Sequence, residues 1–134
     1  MITAVDTNIL LDVLMPDPKF QASSLAKLHQ ATQEGCLVIC DVVASELGAQ
    51  FSTATEMDSF LKSVTISLAT MSLTAAHDAG QRWRNYLRNR KGARERIVAD
   101  FMIAGHALHH SDRLLTRDLG FYRSHFADLT LMGP

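Results

Sequence analysis

A chain of 134 residues, 47% of them hydrophobic, has enough apolar content for one core, so the composition excludes a disordered protein and predicts one domain across 1–134. The formal net charge of −1 gives no global argument for a polyanionic partner. No apolar run is long enough to span a bilayer, and Asp6 and Asp12 interrupt what would be the h-region of a secretory signal, so a cytoplasmic location is expected.

The chain opens with Ile2 to Val5, a β-branched apolar run that reads as a buried strand and stops at Asp6. Asn8 offers a helix N-cap before Ile9, Leu10 and Leu11, and the short helix that follows is stopped by Pro16-Asp17-Pro18. Asp6 thus falls at the C-terminal end of a first strand, where open α/β sheets place ligands, although a helix cap alone would also explain it. A second helix is expected from about Lys19 to Glu34, ended by Gly35 as a C′ glycine. Cys36 to Cys40 is the second strand, apolar throughout, as suits a parallel sheet covered on both faces. Its two cysteines are spaced to share one strand face and have no Cys or His at ligand spacing, so they read as reduced core thiols.

Asp41 follows, and Val42 to Leu47, with Glu46 in an otherwise apolar and small segment, reads as the start of a third helix. A capping-box pattern at Thr55-x-x-Asp58 predicts a fourth helix, and Val64 to Leu68 reads as either a short strand or a connector. From Leu73 to Arg88 the spacing of Leu73, Ala76, Gly80, Trp83 and Leu87 predicts an amphipathic helix with Arg82, Arg84 and Arg88 on or beside its outer face. A loop signal at 89–93 precedes another helix with Asp100 in its first turns. Apolar neighbours on both sides make that carboxylate costly without a partner or a metal. Arg113 to Thr116 reads as a strand followed at once by Asp118, and Leu129 to Met132 as a last strand. Alternation of strands and helices without internal repeats predicts an α/β sandwich around a mostly parallel sheet.

Two features carry chemistry. Asp6, Glu46, Asp100 and Asp118 each fall at a strand end or in an early helix turn, positions that a parallel sheet brings to one edge. Four such carboxylates repel one another unless a cation sits among them, and an all-oxygen cluster suits Mg²⁺ or Mn²⁺ rather than zinc. Such ions polarise phosphoryl oxygens and activate water, which points to phosphodiester hydrolysis, with Asn8 and Thr116 orienting the carboxylates. Seven of the thirteen basic residues lie between Arg82 and Arg96, opposed in that window only by Glu95. This patch is either a solvated helix face or a surface for a phosphate backbone, with Arg88, Arg94 and Arg96 the candidates. His106, His109 and His110 have helical metal-ligand spacing, but nothing in their segment completes a tetrahedral set.

Four blocks carry a resemblance over essentially the whole chain: Val5-Asp6-Thr7-Asn8, Ser45-Glu46-Leu47, Ala99-Asp100-Phe101-x-Ile103-Ala104-x-His106-Ala107 and Leu114-Leu115-Thr116-Arg117-Asp118-x-Gly120-Phe121-Tyr122. In these the chain resembles the PIN-domain ribonucleases, and among them the VapC-like toxins of VapBC toxin-antitoxin pairs. The resemblance implies a three-layer fold of PIN type and a Mg²⁺-dependent endoribonuclease, often dimeric. It assigns Asp6, Glu46, Asp100 and Asp118 to the metal site with Thr116 beside it, and a small VapB-like antitoxin to the active-site groove. Three other readings compete: a housekeeping RNA-processing nuclease of the same family, a non-catalytic RNA-binding module, and a receiver or phosphatase using Asp6 as nucleophile. The last calls for a lysine near the final strand ends, where Lys19, Lys27, Lys62 and Lys91 do not fall.

Overall fold

The computed structural model describes residues 1–15, 17–90 and 97–134. Five strands, β1 (Ile2–Val5), β2 (Cys36–Ile39), β3 (Ile66–Leu68), β4 (Arg113–Leu115) and β5 (Leu131–Met132), form one sheet in the order β3-β2-β1-β4-β5. Every pairing is parallel, so the expected mostly parallel sheet is wholly so. The described helices are α1 (Thr7–Leu14), α2 (Gln21–Glu34), α3 (Asp41–Gly48), α4 (Ala54–Ser63), α5 (Leu73–Asn89), α6 (Val98–His110) and α7 (Leu119–His125). Thr3, Ala4 and Val5 are consecutive and all buried. Successive strand residues point to opposite faces, so both faces of β1 are covered, giving the three-layer α/β sandwich.

The chain steps outward from β1 through β2 to β3, then returns to the other side of β1 for β4 and β5. Strand order therefore reverses between β1 and β4. The crevice beyond the carboxyl ends of those two strands is where such sheets bind ligands. Phe101, Tyr122, Phe126, Ile9, Leu10, Leu47, Leu114 and Leu115 are fully buried and form the packing behind that crevice.

Several local expectations are corrected. α1 is capped by Asp6, not Asn8: the Asp6 amide still donates to the Leu115 carbonyl at 2.9 Å, in extended backbone, and the helix begins at the next residue. α4 is capped two residues earlier than expected, with Thr53 Oγ1 accepting from the Glu56 amide at 3.1 Å and Glu56 accepting from the Ser52 amide, while Asp58 pairs with Lys62. Gly35 is required for room: a Cβ there would lie 1.9 Å from the Met1 carbonyl oxygen. Cys36 is exposed at the head of β2 and Cys40 is buried just past its end, so of the two free thiols only Cys40 belongs to the core.

The buried stripe of α5 is Ala75 and Ala79, not the one through Leu73, which is 86% exposed. The reason is Gly105 on α6. A Cβ there would meet the Ala79 Cβ at 2.9 Å, so the two helices approach through small residues. The ambiguous 64–68 segment contributes the edge strand β3, and α7 lies where no helix was anticipated. Among the described residues no helix is long and apolar enough to cross a membrane.

Candidate active-site cleft

Asp6 sits where β1 becomes α1, 5% exposed. Its Oδ1 accepts from the Thr7 amide at 2.7 Å. Its Oδ2 accepts from Thr116 Oγ1 at 2.8 Å and from the Tyr122 hydroxyl at 3.0 Å, with Asn8 Nδ2 more distant at 3.4 Å. Burial pushes the Asp6 carboxyl up to about 6; the Thr116, Tyr122 and Thr7 bonds oppose that rise and the charge of Glu46 adds to it. The Tyr122 phenol is raised well above its ordinary value, first by burial and then by the Asp6 charge, so it stays protonated and serves as a donor.

Thr116, at the end of β4 and fully buried, connects three elements of the site. Its hydroxyl donates to Asp6 and accepts from the Asp118 amide at 3.0 Å, with Asn8 Nδ2 at 3.4 Å. Glu46, on an exposed turn of α3, accepts from Thr7 Oγ1 at 2.7 Å and is thereby tied to the first turn of α1. Asp100 stands in the first turn of α6 and Asp118 at the N-cap position of α7. Asp6, Glu46, Asp100 and Asp118 line one open cleft of about 280 Å³ together with Thr7, Asn8 and Tyr122. They ring its walls: among the described residues no three His, Cys, Asp or Glu side chains form a ready-made ligand cluster.

The donors facing the cleft are carboxylates, hydroxyls and an amide. Such a set suits a hard divalent cation bound through oxygen and offers nothing to zinc-type sulfur or imidazole coordination. The three histidines are engaged elsewhere: His106 with the Ala69 carbonyl, His109 with Asp78, and His110 with Ser72.

The basic patch divides. Arg82 is structural, forked onto Asp128 at 2.8 Å, bonded to Asp78 and stacked over Phe126 at 4.5 Å. Those carboxylates lie outside the 82–96 window, where Glu95 is the one opposing charge in sequence. Arg88 is exposed in the last turn of α5, whereas Arg94 and Arg96 lie outside the described residues. Tyr122 and Thr7 are site residues that the sequence reading did not single out. Both lie inside the quoted blocks, Thr7 next to Asp6 and Tyr122 four residues after Asp118, and that proximity to acids is the one signal that could have flagged them.

The family model for the PIN domain matches residues 3–126. Among solved structures, the chain is similar to VapBC2 from Rickettsia felis bound to a promoter DNA fragment, at 20% identity over 99% of this chain and 98% of that chain, with a TM-score of 0.72. It is similar to VapBC-1 from nontypeable Haemophilus influenzae at 20% identity, with the same coverage and a TM-score of 0.70. It is also similar to FitAcB from Neisseria gonorrhoeae, at 23% identity over 98% of this chain and 96% of that chain, with a TM-score of 0.65. At these identities the likeness establishes the fold. No curated protein matches the sequence.

Proposed function

The chain belongs to the PIN-domain family, and from that premise we propose that it is a divalent-metal-dependent endoribonuclease acting as the toxin of a toxin-antitoxin pair. One observation carries the reading: carboxylates from four separate elements line a single cleft where the strand order reverses. Asp6, Glu46, Asp100 and Asp118 are the residues proposed to hold Mg²⁺ or Mn²⁺. Bound there, the ion would supply charge neutralisation at the phosphoryl group and an acidified water for hydrolysis.

The chain's own contributions are positional and electrostatic. The Thr116 and Tyr122 hydroxyls fix Oδ2 of Asp6, and the Thr7 hydroxyl fixes Glu46. Asp6, buried beside Glu46, keeps a proton up to about pH 6. A cation would favour its ionised form, so occupancy and ionisation are coupled. Arg88, with Arg94 and Arg96, is proposed to hold the RNA backbone without regard to sequence. The partner proposed for the cleft is a small antitoxin, supported by a fold shared with the VapBC and FitAcB complexes, and the active form is proposed to be a homodimer.

The test is cleavage of a mixed tRNA and rRNA pool with Mg²⁺ and with chelator, beside Asp100→Asn, which deletes a charge without changing shape. Metal-dependent cutting that disappears in the variant is expected. Undiminished cutting by the variant, or none by the parent chain under any divalent metal, overturns the assignment.

A further inference from the structure

Asp12 is the second deeply buried carboxylate among the described residues, 3% exposed, and it does not line the acidic cleft. It lies on α1, beyond Asp6 and Asn8. Ser24 Oγ of α2 donates to its Oδ2 at 2.6 Å. Arg117 grips both oxygens, Nε to Oδ2 at 2.8 Å and Nη2 to Oδ1 at 3.0 Å. The flat face of that guanidinium covers the Phe20 ring, 3.9 Å from its centroid.

Arg117 stands between Thr116 and Asp118, in the segment that carries two of the site's polar groups into the cleft. That segment is attached to the start of the chain at three successive places. Thr116 Oγ1 donates to Asp6, the Arg117 amide donates to Asn8 Oδ1 at 3.2 Å, and the Arg117 side chain is forked onto Asp12. The first two are single-point contacts, which fix a distance. The third is a planar two-point contact, which fixes orientation as well as distance.

We propose that Asp12 and Arg117 are a positioning pair for the acidic cleft: their fork clamps the 116–118 segment along α1 and so sets where Thr116 holds Asp6 and where Asp118 stands. This rests on the reading of the cleft as the catalytic site. A buried ion pair is a weak source of stability compared with apolar packing of the same volume, and its attested use is to fix register. The pair also keeps the Arg117 cation matched and turned onto Phe20, so that it is held by Asp12 rather than by the carboxylates of the cleft.

The experiment compares Asp12→Asn, Arg117→Lys and the double variant Asp12→Asn/Arg117→Lys, with Glu34→Gln as control. Glu34 pairs with Arg113 at the opposite end of β4 and has no contact with the cleft. Steady-state cleavage, amide hydrogen exchange and thermal unfolding are measured on each. Asp12→Asn and Arg117→Lys are each expected to lower kcat ~10-fold or more with KM for RNA changed less than ~2-fold, because sub-ångström misplacement acts on the chemical step. The double variant should be no worse than the poorer single one, since each deletion already opens the clamp. Exchange at the Arg117 and Asp118 amides should accelerate ~10-fold beyond core amides, as local opening predicts.

Glu34→Gln should lower the melting temperature without touching kcat or those two amides. A well-folded Asp12→Asn with parental kcat overturns the proposal. So does a rise in KM confined to Arg117→Lys, which would make Arg117 an RNA contact. If the parent chain cuts no RNA, the proposed function fails by itself. Amide exchange then still decides the clamp, and unchanged protection of Arg117 and Asp118 in both single variants overturns it.

Discussion

Asp6→Asn is expected to stabilise the metal-free protein while abolishing cleavage, and the size of the gain follows from the titration of one group. An unfolded aspartate titrates at 3.8, and in the fold burial raises Asp6 to about 6. Between those values the native state binds more protons than the unfolded chain, so stability falls as pH rises from about 4 to about 6, and the full penalty stands at pH 7. At 1.36 kcal/mol per pH unit the penalty is about 3 kcal/mol. Asparagine imitates the neutral acid: its carbonyl keeps the Thr7 amide, and its NH₂ donates to the Thr116 and Tyr122 hydroxyls, which can turn to accept. In urea titrations with chelator the variant should be more stable than the parent by about 2–3 kcal/mol at pH 7, or about 10 °C in melting temperature for a chain of this size. The gap should close below about pH 4, where both native and unfolded Asp6 are protonated. His106 tilts the other way, because burial lowers its pKa and acidification must charge it. Both proteins share that slope, so their difference isolates Asp6. A variant less stable than the parent at pH 7, or a gap that does not change with pH, would refute the reasoning. Added Mg²⁺ should stabilise the parent and leave the variant unmoved.

Tyr122→Phe removes one atom, the donor 3.0 Å from Asp6 Oδ2. It should cost about 1.5–3 kcal/mol as the loss of a charge-assisted bond and move the acidic limb of the pH–rate profile upward, because one of the bonds holding down the Asp6 pKa is gone. An unmoved limb would remove Tyr122 from the site. Gly105→Val places a side chain where even a Cβ would be 2.9 Å from the Ala79 Cβ. Overpacking of about 1–3 kcal/mol is expected, read as a lower urea midpoint and partly relieved by Ala79→Gly; unaltered stability would mean that α5 and α6 separate freely.

The sheet and the acidic positions were legible because both are local patterns. Apolar runs of strand length each end on a carboxylate or lead into a helix, and topology carries such ends to one side. The residues that escaped notice depend on partners far away in sequence. Asp12 and Arg117 are separated by 105 positions, so no window contains both. Tyr122 reads as half of an aromatic pair, and its burial is that of a core residue; only the direction of its hydroxyl makes it part of the cleft. The α5 stripe went astray because Ala75 and Ala79 are chosen by an approach to Gly105 that helical periodicity cannot reveal. α7, seven residues long with a glycine near its start, is too short to display a period.

Asp6 reads from sequence either as a helix cap or as a member of a metal site; the structure makes it the cap and leaves room for the second role. A carboxylate has about four acceptor positions. The cap takes one of them on Oδ1, from the Thr7 amide, and the hydroxyls of Thr116 and Tyr122 fill Oδ2. The bonds that hold the group still therefore leave an acceptor position on Oδ1, the oxygen on the side of the α1 N-terminus. Capping orients the side chain, the β4 and α7 hydroxyls lock its other oxygen, and burial withholds water that would otherwise stabilise the ionised form. The cap and the burial follow from ending a central parallel strand on aspartate and starting a helix at the next residue, while the two hydroxyls are brought there by the fold. The same junction produces the pKa of about 6, so that an ionised Asp6 is costly at neutral pH. That cost at Asp6 is what the proposed cation site leads one to expect, and the Asp6→Asn titration measures it directly.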